Sequence, residues 1–245
     1  MFPISTRPFP GIGSICLYLS VHLISGIALS QAPSPNSVLH KSLAFHDPYE
    51  RWDTTPFELV IKESRPGKED RRKILFFHIH QQQFHLDHTM GNHRLEYKID
   101  SGKVSLLYDG SDHYSGEMQK KYKLSADHAF SLRDYYMFLF CLPMKMRDPG
   151  AIWDPVVKEA TFNDQSAWAV RVTYEPSVGN DTWFFYFDKE TYAILGCRFY
   201  HDEQKGDGEY ITFSGIEDIN GVKFPKIRRW HLNRTGTFLG SDTIE

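Results

Sequence analysis

Residues 181–200, DTWFFYFDKETYAILGCRFY, decide the fold that we predict for this chain. Five consecutive bulky aromatic residues precede the polar break DKE, and a second run rich in apolar residues follows it. Aromatic residues suit a pleated β surface and a short polar loop reverses the chain, so the stretch predicts a β-hairpin inside a sheet. Because strand side chains alternate, Trp183 and Phe185 share one face while Phe184 lies on the other. We therefore expect both faces of this hairpin to be covered.

Strand patterns extend along most of the chain, with turn signals between neighbouring strands. The strongest turn signal is Asn220-Gly221, because both residues tolerate the positive φ angles of a tight hairpin. Consecutive strands joined by short turns are antiparallel. Besides the central hairpin, the predicted strands span residues 57–63, 72–80, 93–100, 102–109, 167–174, 208–214, 215–220 and 222–232, with one more edge strand within 235–244.

Two segments carry helical signals instead. Residues 125–142, SADHAFSLRDYYMFLFCL, have an N-cap candidate at Ser125 and contain no Gly or Pro. The second half of this helix is apolar on all sides, so we expect it to be buried as the cover of the aromatic sheet. Residues 37–45 predict a short amphipathic helix that ends at His46-Asp47-Pro48.

The N-terminal residues predict export. Residues 15–29, ICLYLSVHLISGIAL, form an apolar run that is short for a membrane span and ends in small residues. We expect residues 1–30 to be a signal peptide cleaved near Ser30, residues 31–36 a flexible arm, and residues 37–245 a single β-rich domain. An uncleaved anchor helix is the alternative. The predicted location is periplasmic or secreted, with no stable membrane span.

Charge and cysteine content restrict the classes of partner. The chain has 28 basic and 31 acidic residues, a net charge of −3, and this mixed balance argues against a nucleic-acid partner. Cys141 and Cys197 are the cysteines that follow the predicted signal peptide. In an oxidising compartment they could form a disulfide, and two buried free thiols are the alternative.

Five histidines between residues 78 and 93 raise the question of a metal site. His78 and His80 lie on one face of a predicted strand, where two imidazoles could bind zinc. The cluster lacks a helical His-x-x-x-His pair, a cysteine pair and a clear glutamate base nearby. We therefore predict no metal site and keep His78 and His80 as the alternative.

Motifs for catalysis are missing from the sequence. The chain has no Gly-x-Ser-x-Gly elbow, no Cys-His context around its cysteines and no Gly-rich phosphate loop. Its carboxylate pairs fall in predicted turns, where acidic residues are common for reasons of solvation. We predict no catalytic residue, no cofactor and no enzymatic activity.

The aromatic residues of the predicted helix and hairpin are the remaining candidates for a functional site. Such a set is most often a packed core. The alternative is a concave sheet around helices with an incompletely filled apolar cavity, the usual architecture of a small-molecule or lipid site. On this interpretation the ligand-binding residues are Phe130, Tyr135, Tyr136, Phe140, Trp183, Phe185 and Phe187.

The order of these elements resembles a known superfamily. An exported chain with an N-terminal helix, antiparallel strands, an inserted apolar helix and a final Asn220-Gly221 hairpin resembles the lipoprotein carriers and receptors of the bacterial envelope (LolA/LolB-like). The motifs YYMFL (135–139), LP (142–143) and WFFYFD (183–188) are similar to an exported domain-of-unknown-function family, family 6503, within or near that superfamily. The resemblance covers about residues 37–244. In the carriers, a cavity holds the acyl chains of lipoproteins.

This resemblance implies a mainly β (α+β) fold: a strongly curved antiparallel sheet or half-open β-barrel with one or two helices packed on the concave face. We expect an exported binding protein for an apolar small molecule, a lipid or an acyl chain, with an envelope protein as a further partner. One alternative is a metal-dependent hydrolase or metal-binding protein that uses the histidines of residues 78–93. Another is a protein-interaction module with a filled core.

Overall fold

The computed structural model describes residues 32–245, so the predicted signal peptide and its cleavage site lie outside the described residues. Within this range the helices are α1 (Pro35–His46), α2 (Gly116–Tyr122) and α3 (Ala126–Phe140), with short 3-10 helices at Met144–Arg147 and Glu203–Lys205. The strands are β1 (Phe57–Ser64), β2 (Arg71–His78), β3 (Gln83–Met90), β4 (His93–Asp100), β5 (Lys103–Tyr108), β6 (Ala151–Trp153), β7 (Lys158–Phe162), β8 (Gln165–Tyr174), β9 (Thr182–Asp188), β10 (Ile194–Tyr200), β11 (Glu209–Ile219), β12 (Val222–Leu232) and β13 (Phe238–Ile244). No helix formed by residues 32–245 is both long and apolar enough to cross a membrane.

All the strands belong to one antiparallel sheet. Their order is β5-β4-β3-β2-β1-β13-β12-β11-β10-β9-β8-β6, and β7 pairs with β8 beside β6. β13 joins the two halves, because it pairs with β1 on one side and with β12 on the other. In this order β5 and β6 are not paired with each other, so the sheet remains open. The prediction of a mainly antiparallel sheet is confirmed.

The sheet curves around α3. Tyr136 and Phe138, two residues apart on this helix, contact Lys73 of β2 and Trp183 of β9. Six strand spacings separate β2 from β9, which would be about 29 Å in a flat sheet. A helix with its side chains is only about 10–12 Å across. The sheet must therefore wrap around α3, which lies on its concave face as predicted.

α3 begins where the sequence predicted a cap. The Ser125 hydroxyl accepts a hydrogen bond from the His128 N–H (3.2 Å), which satisfies one of the free donors of the first turn. The last helical residue is Phe140, two residues before the predicted end. The side of α3 that carries Tyr135 faces solvent, with 47 % of that residue exposed, so the helix is not buried all round.

α1 begins two residues earlier than predicted. The Ser34 hydroxyl accepts a hydrogen bond from the Ser37 N–H (3.3 Å), and Pro35 occupies the first turn, where a missing N–H is harmless. Pro35 and Asn36 are therefore helical, and they do not belong to the flexible arm that we predicted for residues 31–36.

His46, at the predicted C-terminal end of α1, connects this helix to the sheet. His46 is fully buried, and its Nε2 accepts a hydrogen bond from the Ile194 N–H of β10 (3.1 Å). This fixes the tautomer, so Nδ1 carries the hydrogen and donates it to the Lys223 carbonyl of β12 (2.5 Å). One imidazole thus connects α1 to two strands.

Both faces of the central hairpin, β9 and β10, are covered. On the concave face, the ring centroid of Phe138 lies 5.0 Å from that of Trp183 and 6.4 Å from that of Phe185. On the convex face, Phe162 of β7 stacks on Tyr186 with 4.0 Å between ring centroids. The covering that the alternating aromatic residues predicted is therefore provided by α3 on one side and by β7 on the other.

The close approach of β7 depends on Gly196 in β10. Its φ angle is 152°, and a Cβ atom there would lie 2.2 Å from the Ile211 carbonyl oxygen and 2.6 Å from a ring carbon of Phe162. Any side chain at this position would displace the Phe162 ring. The register between β9 and β10 also shifts between Ile194 and Gly196. Gly196 therefore allows the second aromatic layer to pack on the convex face.

Several strand predictions differ from the structure, and β6 and β7 occupy residues for which we predicted no strand. β3 occupies residues to which we assigned no strand, and its buried Phe84 and Leu86 alternate with polar side chains. The strands predicted at residues 208–214 and 215–220 form one strand, β11, which continues through Gly215 at a φ angle of 65°. We expected β13 at an edge of the sheet, but it lies inside the sheet, between β1 and β12. Its pairing with β1 joins distant parts of the chain, so no local sequence signal predicts it.

Candidate functional site

The aromatic residues that we predicted on the central hairpin belong to a filled region. Phe185 and Phe187 have no exposed surface. Trp183 contacts Phe138 of α3 on one side and Phe199 of β10 on the other, with 4.8 Å between the ring centroids of Trp183 and Phe199. Rings at these distances leave little room, so this region anchors α3 against the sheet.

The predicted residues on α3 lie in a different environment. Tyr135, Tyr136 and Phe140 border a small cavity of about 10 Å³ next to Lys73. The ring centroid of Phe130 lies 5.0 Å from the guanidinium carbon of Arg133. The structure therefore separates the seven predicted residues into a packed group on β9 and a group on α3 that lies near charged side chains.

A larger cavity, the Met137 cavity, lies between α3 and the turns that join β2 to β3 and β4 to β5. Its volume is about 400 Å³, within the range of small-molecule pockets. Its apolar wall consists of Ile79, Phe84, Ile99 and Met137. The rim is polar and comprises His78, Gln82, Gln83, Gly102, Arg133, Asp134 and Lys145.

The charged groups at this rim are paired with one another or with close neighbours. The Arg133 guanidinium donates two hydrogen bonds to Asp134 Oδ1, at 2.9 and 2.8 Å. Lys145 forms an ion pair with Asp148, three residues further along the chain. The Met137 cavity therefore combines a buried apolar wall with a rim whose cations have carboxylate partners.

An ionic network lies next to Tyr136 of α3. Lys73 Nζ is 3.0 Å from Glu63 Oε2 and donates a hydrogen bond to the Tyr136 hydroxyl. Arg71 is 2.8 Å from Glu63 Oε2, and Arg65 is 2.8 Å from Glu63 Oε1. Three cationic side chains thus surround one carboxylate, next to a tyrosine that we predicted as a ligand-binding residue.

The pKa values in this network follow from that arrangement. Burial alone would raise the pKa of Glu63, but Lys73, and then Arg65 and Arg71, outweigh burial and lower it. The pKa of Lys73 is lowered, because burial and the nearby charge of Arg71 disfavour its charge more than Glu63 favours it. Burial raises the pKa of the Tyr136 phenol, which therefore stays protonated. Positive charge is in excess here.

A second carboxylate, Asp242, connects the network to the strands at which the two halves of the sheet meet. Its Oδ1 accepts a hydrogen bond from Arg65 (2.9 Å), and its Oδ2 accepts one from the Trp230 indole N–H (2.9 Å). Asp242 lies on β13 and Trp230 on β12, while Arg65 directly follows β1. These bonds therefore fix the three strands at which the two halves of the sheet meet.

The five histidines of residues 78–93 do not converge on one point. His78 Nδ1 accepts a hydrogen bond from the Gln81 N–H (3.2 Å) and so stabilises the turn after β2, where His80 is exposed. Each of the others has a separate neighbour: His85 with Glu96 (3.4 Å), His88 with Tyr97 (6.0 Å between ring centroids) and His93 with Asp109 (2.8 Å). Among residues 32–245, no group of three or more His, Cys, Asp and Glu is arranged to hold a metal ion.

Arg228 of β12 is a buried charge that our sequence analysis missed. Its guanidinium donates hydrogen bonds to the carbonyls of Leu139 (3.2 Å), Phe140 (3.0 Å) and Pro225 (2.7 Å). The first two are carbonyls at the C-terminus of α3, where a cation is favourable. Burial lowers the pKa of Arg228 to about 10, so it remains charged at neutral pH. The period-two register of β12, with buried Phe224 and Trp230, is the signal that could have placed Arg228 inside.

Cys141 and Cys197 are both free and buried. This is the second of the two alternatives that the sequence left open. Burial raises the pKa of each thiol. Because the thiolate is the reactive form, neither cysteine is suited to act as a nucleophile in this environment.

The chain belongs to DUF6503, a family of unknown function, and the match covers residues 14–245. This confirms the family that the motifs YYMFL and WFFYFD indicated. No curated protein matches the sequence.

Solved structures with a similar arrangement include a LolA superfamily protein from Nitrosomonas europaea, which is 10 % identical with a TM-score of 0.47, over 87 % of this chain and 94 % of that one. An outer membrane lipoprotein-sorting protein domain, so described, from Vibrio parahaemolyticus is 12 % identical with a TM-score of 0.46, over 84 % and 92 %. A DUF1329 family protein from Desulfovibrio piger is 12 % identical with a TM-score of 0.43, over 86 % and 92 %. Because each of these TM-scores is below 0.5, the three structures support no inference about a ligand or an activity of this chain.

Proposed function

We propose that this protein is a non-enzymatic binding protein that holds an apolar small molecule, a lipid or an acyl chain, between α3 and the concave face of the sheet. The observation that supports the proposal is the Met137 cavity, with its volume of about 400 Å³ and an apolar wall in which Phe84, Ile99 and Met137 are buried. Each Å² of apolar ligand surface removed from water there contributes about 25 cal/mol. The paired charges at the rim favour a ligand whose inserted part is uncharged.

The proposal includes export. Residues 1–30 have the apolar run and the small residues of a cleavable signal peptide, so the mature chain would act in the periplasm or outside the cell. An apolar ligand in an aqueous compartment must be delivered and released. An envelope protein is therefore the partner that we propose for this chain.

Native mass spectrometry of the exported chain, purified without detergent, tests the proposed class of ligand. We expect an added mass of lipid size that disappears on denaturation. A bare chain mass that takes up no apolar probe would contradict the proposal and favour a protein-interaction module. A stoichiometric zinc ion that is lost when His78 and His80 are replaced would favour the metal-dependent alternative.

A matched pair of methionine variants tests the location of the site. Met137→Trp fills the cavity, so we expect the Kd of the uncharged fluorescent probe N-phenylnaphthylamine to rise at least tenfold. Met118 lies on α2, is 38 % exposed and does not line the cavity, so Met118→Trp is the control. Equal probe affinity in both variants would move the site elsewhere. Loss of probe binding in Trp183→Ala but not in Met137→Trp would place the binding site at the central hairpin.

A further inference from the structure

A second cavity, the Lys73 cavity, also lies between α3 and strands β2–β4, next to Leu132 and Tyr136 of the helix. It has a volume of about 240 Å³ and is enclosed by α2, α3 and strands β2–β4. Arg71, Lys73, Lys121 and Lys123 line it, and none of the described lining residues is Asp or Glu. Since the whole chain has a net charge of −3, this concentration of positive charge is local.

The nearest carboxylates of the network do not cancel this charge. Glu63 is already shared by Lys73, Arg71 and Arg65. Asp242 is occupied by Arg65 and the Trp230 indole. Lys121 and Lys123 are exposed at the opening, where they can attract an anion from solution.

A residue that lines the same cavity has a buried ring nitrogen without a partner among the described residues. His88 lines the Lys73 cavity, and its Nδ1 atom is buried without a hydrogen-bond partner among the described residues. Burial, followed by the positive charges of Lys73 and Arg71, lowers the pKa of His88 to about 4. His88 is therefore neutral at pH 7, and one of its ring nitrogens carries a hydrogen that an anion could accept. Buried polar atoms of this kind are rarely left unsatisfied.

Part of the remaining wall of the Lys73 cavity is apolar. Leu86 of β3 and Leu132 of α3 line it together with the ring of Tyr97. The Tyr97 hydroxyl donates a hydrogen bond to the Tyr122 carbonyl (2.9 Å), so Tyr97 offers the cavity its ring and not its hydroxyl. Cationic and apolar surfaces thus meet within one enclosed space.

We propose that the Lys73 cavity binds the oxyanion of an amphiphile, a phosphate or a carboxylate attached to an apolar tail. The oxyanion lies against Lys73 and His88, where charge-assisted hydrogen bonds form away from bulk water. The first part of the tail lies against Leu86 and Leu132. A different cavity carries the proposed apolar-ligand function, so either site can exist without the other.

Four probes separate the contributions of charge and tail: octyl phosphate, octanoate, octanol and inorganic phosphate, titrated into the full exported chain by calorimetry. We expect octyl phosphate and octanoate to bind at least tenfold more tightly than octanol, with an affinity that falls as the salt concentration rises. Equal affinity for octanol would overturn the anion assignment. Equal affinity for inorganic phosphate would show a free-phosphate site and overturn the amphiphile assignment.

Variants locate the site within the protein. Lys73→Met should weaken octyl phosphate binding at least tenfold and leave octanol binding unchanged. Because Lys73 also bonds to Glu63, its replacement could affect folding, so a second variant is made at the exposed Lys123. Asn tolerates the left-handed backbone at this position, where φ is 51°. Lys123→Asn removes one charge and should weaken octyl phosphate binding about threefold. Lys120→Gln on the same helix, which does not line the cavity, is the matched control and should have no effect. Identical octyl phosphate affinity in Lys123→Asn and Lys120→Gln would overturn the location.

Discussion

The two sides of α3 meet the sheet in different ways. Towards β9 and β10, Phe138 of the helix enters a cluster of aromatic rings, and Phe185 and Phe187 have no exposed surface. Towards β2–β4, the helix meets long charged side chains such as Lys73 and leaves two cavities. Planar aromatic rings pack closely against one another. The charged ends of long side chains must stay solvated or paired, so these side chains fill the space between the helix and the sheet less completely. The comparison teaches that one side of α3 anchors the helix and the other is available for binding.

Truncation in the packed region should have the largest effect. Phe185→Ala removes a ring with no exposed surface, and we expect the free energy of unfolding to fall by about 3–5 kcal/mol in urea denaturation. Phe238→Ala, at a ring that is 43 % exposed, is the control and should cost less than about 1 kcal/mol. Similar costs for both variants would show that the rings of β9 are not an anchor, and the contrast between the two sides would be lost.

Acid should weaken the structure through buried or half-buried histidines, of which His46, bonded to β10, and His88, on the open side, have pKa values lowered to about 4. The pKa of His46 is lowered to about 4, chiefly by burial and to a lesser extent by Lys223 and Arg228. An unfolded histidine takes up its proton near pH 6.5. The unfolded state thus binds a proton before the folded state does, so stability is complete above pH 6.5, falls between pH 6.5 and 4, and falls no further below. A shift of this size corresponds to about 3 kcal/mol.

The two histidines can be separated by substitution. His46→Leu should lower stability at pH 7 and reduce the further loss between pH 7 and 4.5, as measured by urea denaturation at both pH values. His88, on the open side, has the same lowered pKa of about 4, and burial also lowers the pKa of His85 and of His128, so these three histidines should maintain part of the pH dependence. An unchanged pH dependence in His46→Leu would mean that the imidazole between α1 and the sheet does not remain neutral.

The smallest effect should come from one hydroxyl on the open side. Tyr136→Phe removes the acceptor for Lys73, which keeps its bond to Glu63, so we expect a loss of about 1 kcal/mol. Tyr186→Phe is the matched control on the packed side, where the Tyr186 hydroxyl has no hydrogen bond within residues 32–245, and it should change stability by less than about 0.5 kcal/mol. Equal losses of stability in the two variants would show that the hydrogen bond from Lys73 to Tyr136 does not stabilise the fold.

Local signals made much of the fold predictable. The Asn220-Gly221 turn has the two positive φ angles, 56° and 85°, that its sequence predicted, and the strands on either side of it form a hairpin. The cap at Ser125 and the buried face of α3 followed from composition and spacing. β3 was missed because histidines at its partly exposed positions hide the alternation of Phe84 and Leu86.

The candidate site was less predictable, because it depends on contacts between distant segments. Arg71 and Lys73 lie on β2, while Lys121 and Lys123 lie around the end of α2. No local pattern shows that these side chains share one cavity. The sequence did identify Tyr136, which borders that cavity, but the curvature of the sheet decides that Phe185 and Phe187 are packed core.

The position of β13 has a consequence for how the chain acquires its structure. Ile61 pairs with Ile244, so the two halves of the sheet join only when residues far apart in the sequence are both available. Contacts between such distant residues form slowly. Until that join is made, β1 and β12 each present an open edge, to which another chain could add. A cell that makes this protein therefore has to protect two open strand edges until β13 is in place, and the yield of folded protein will depend on that interval.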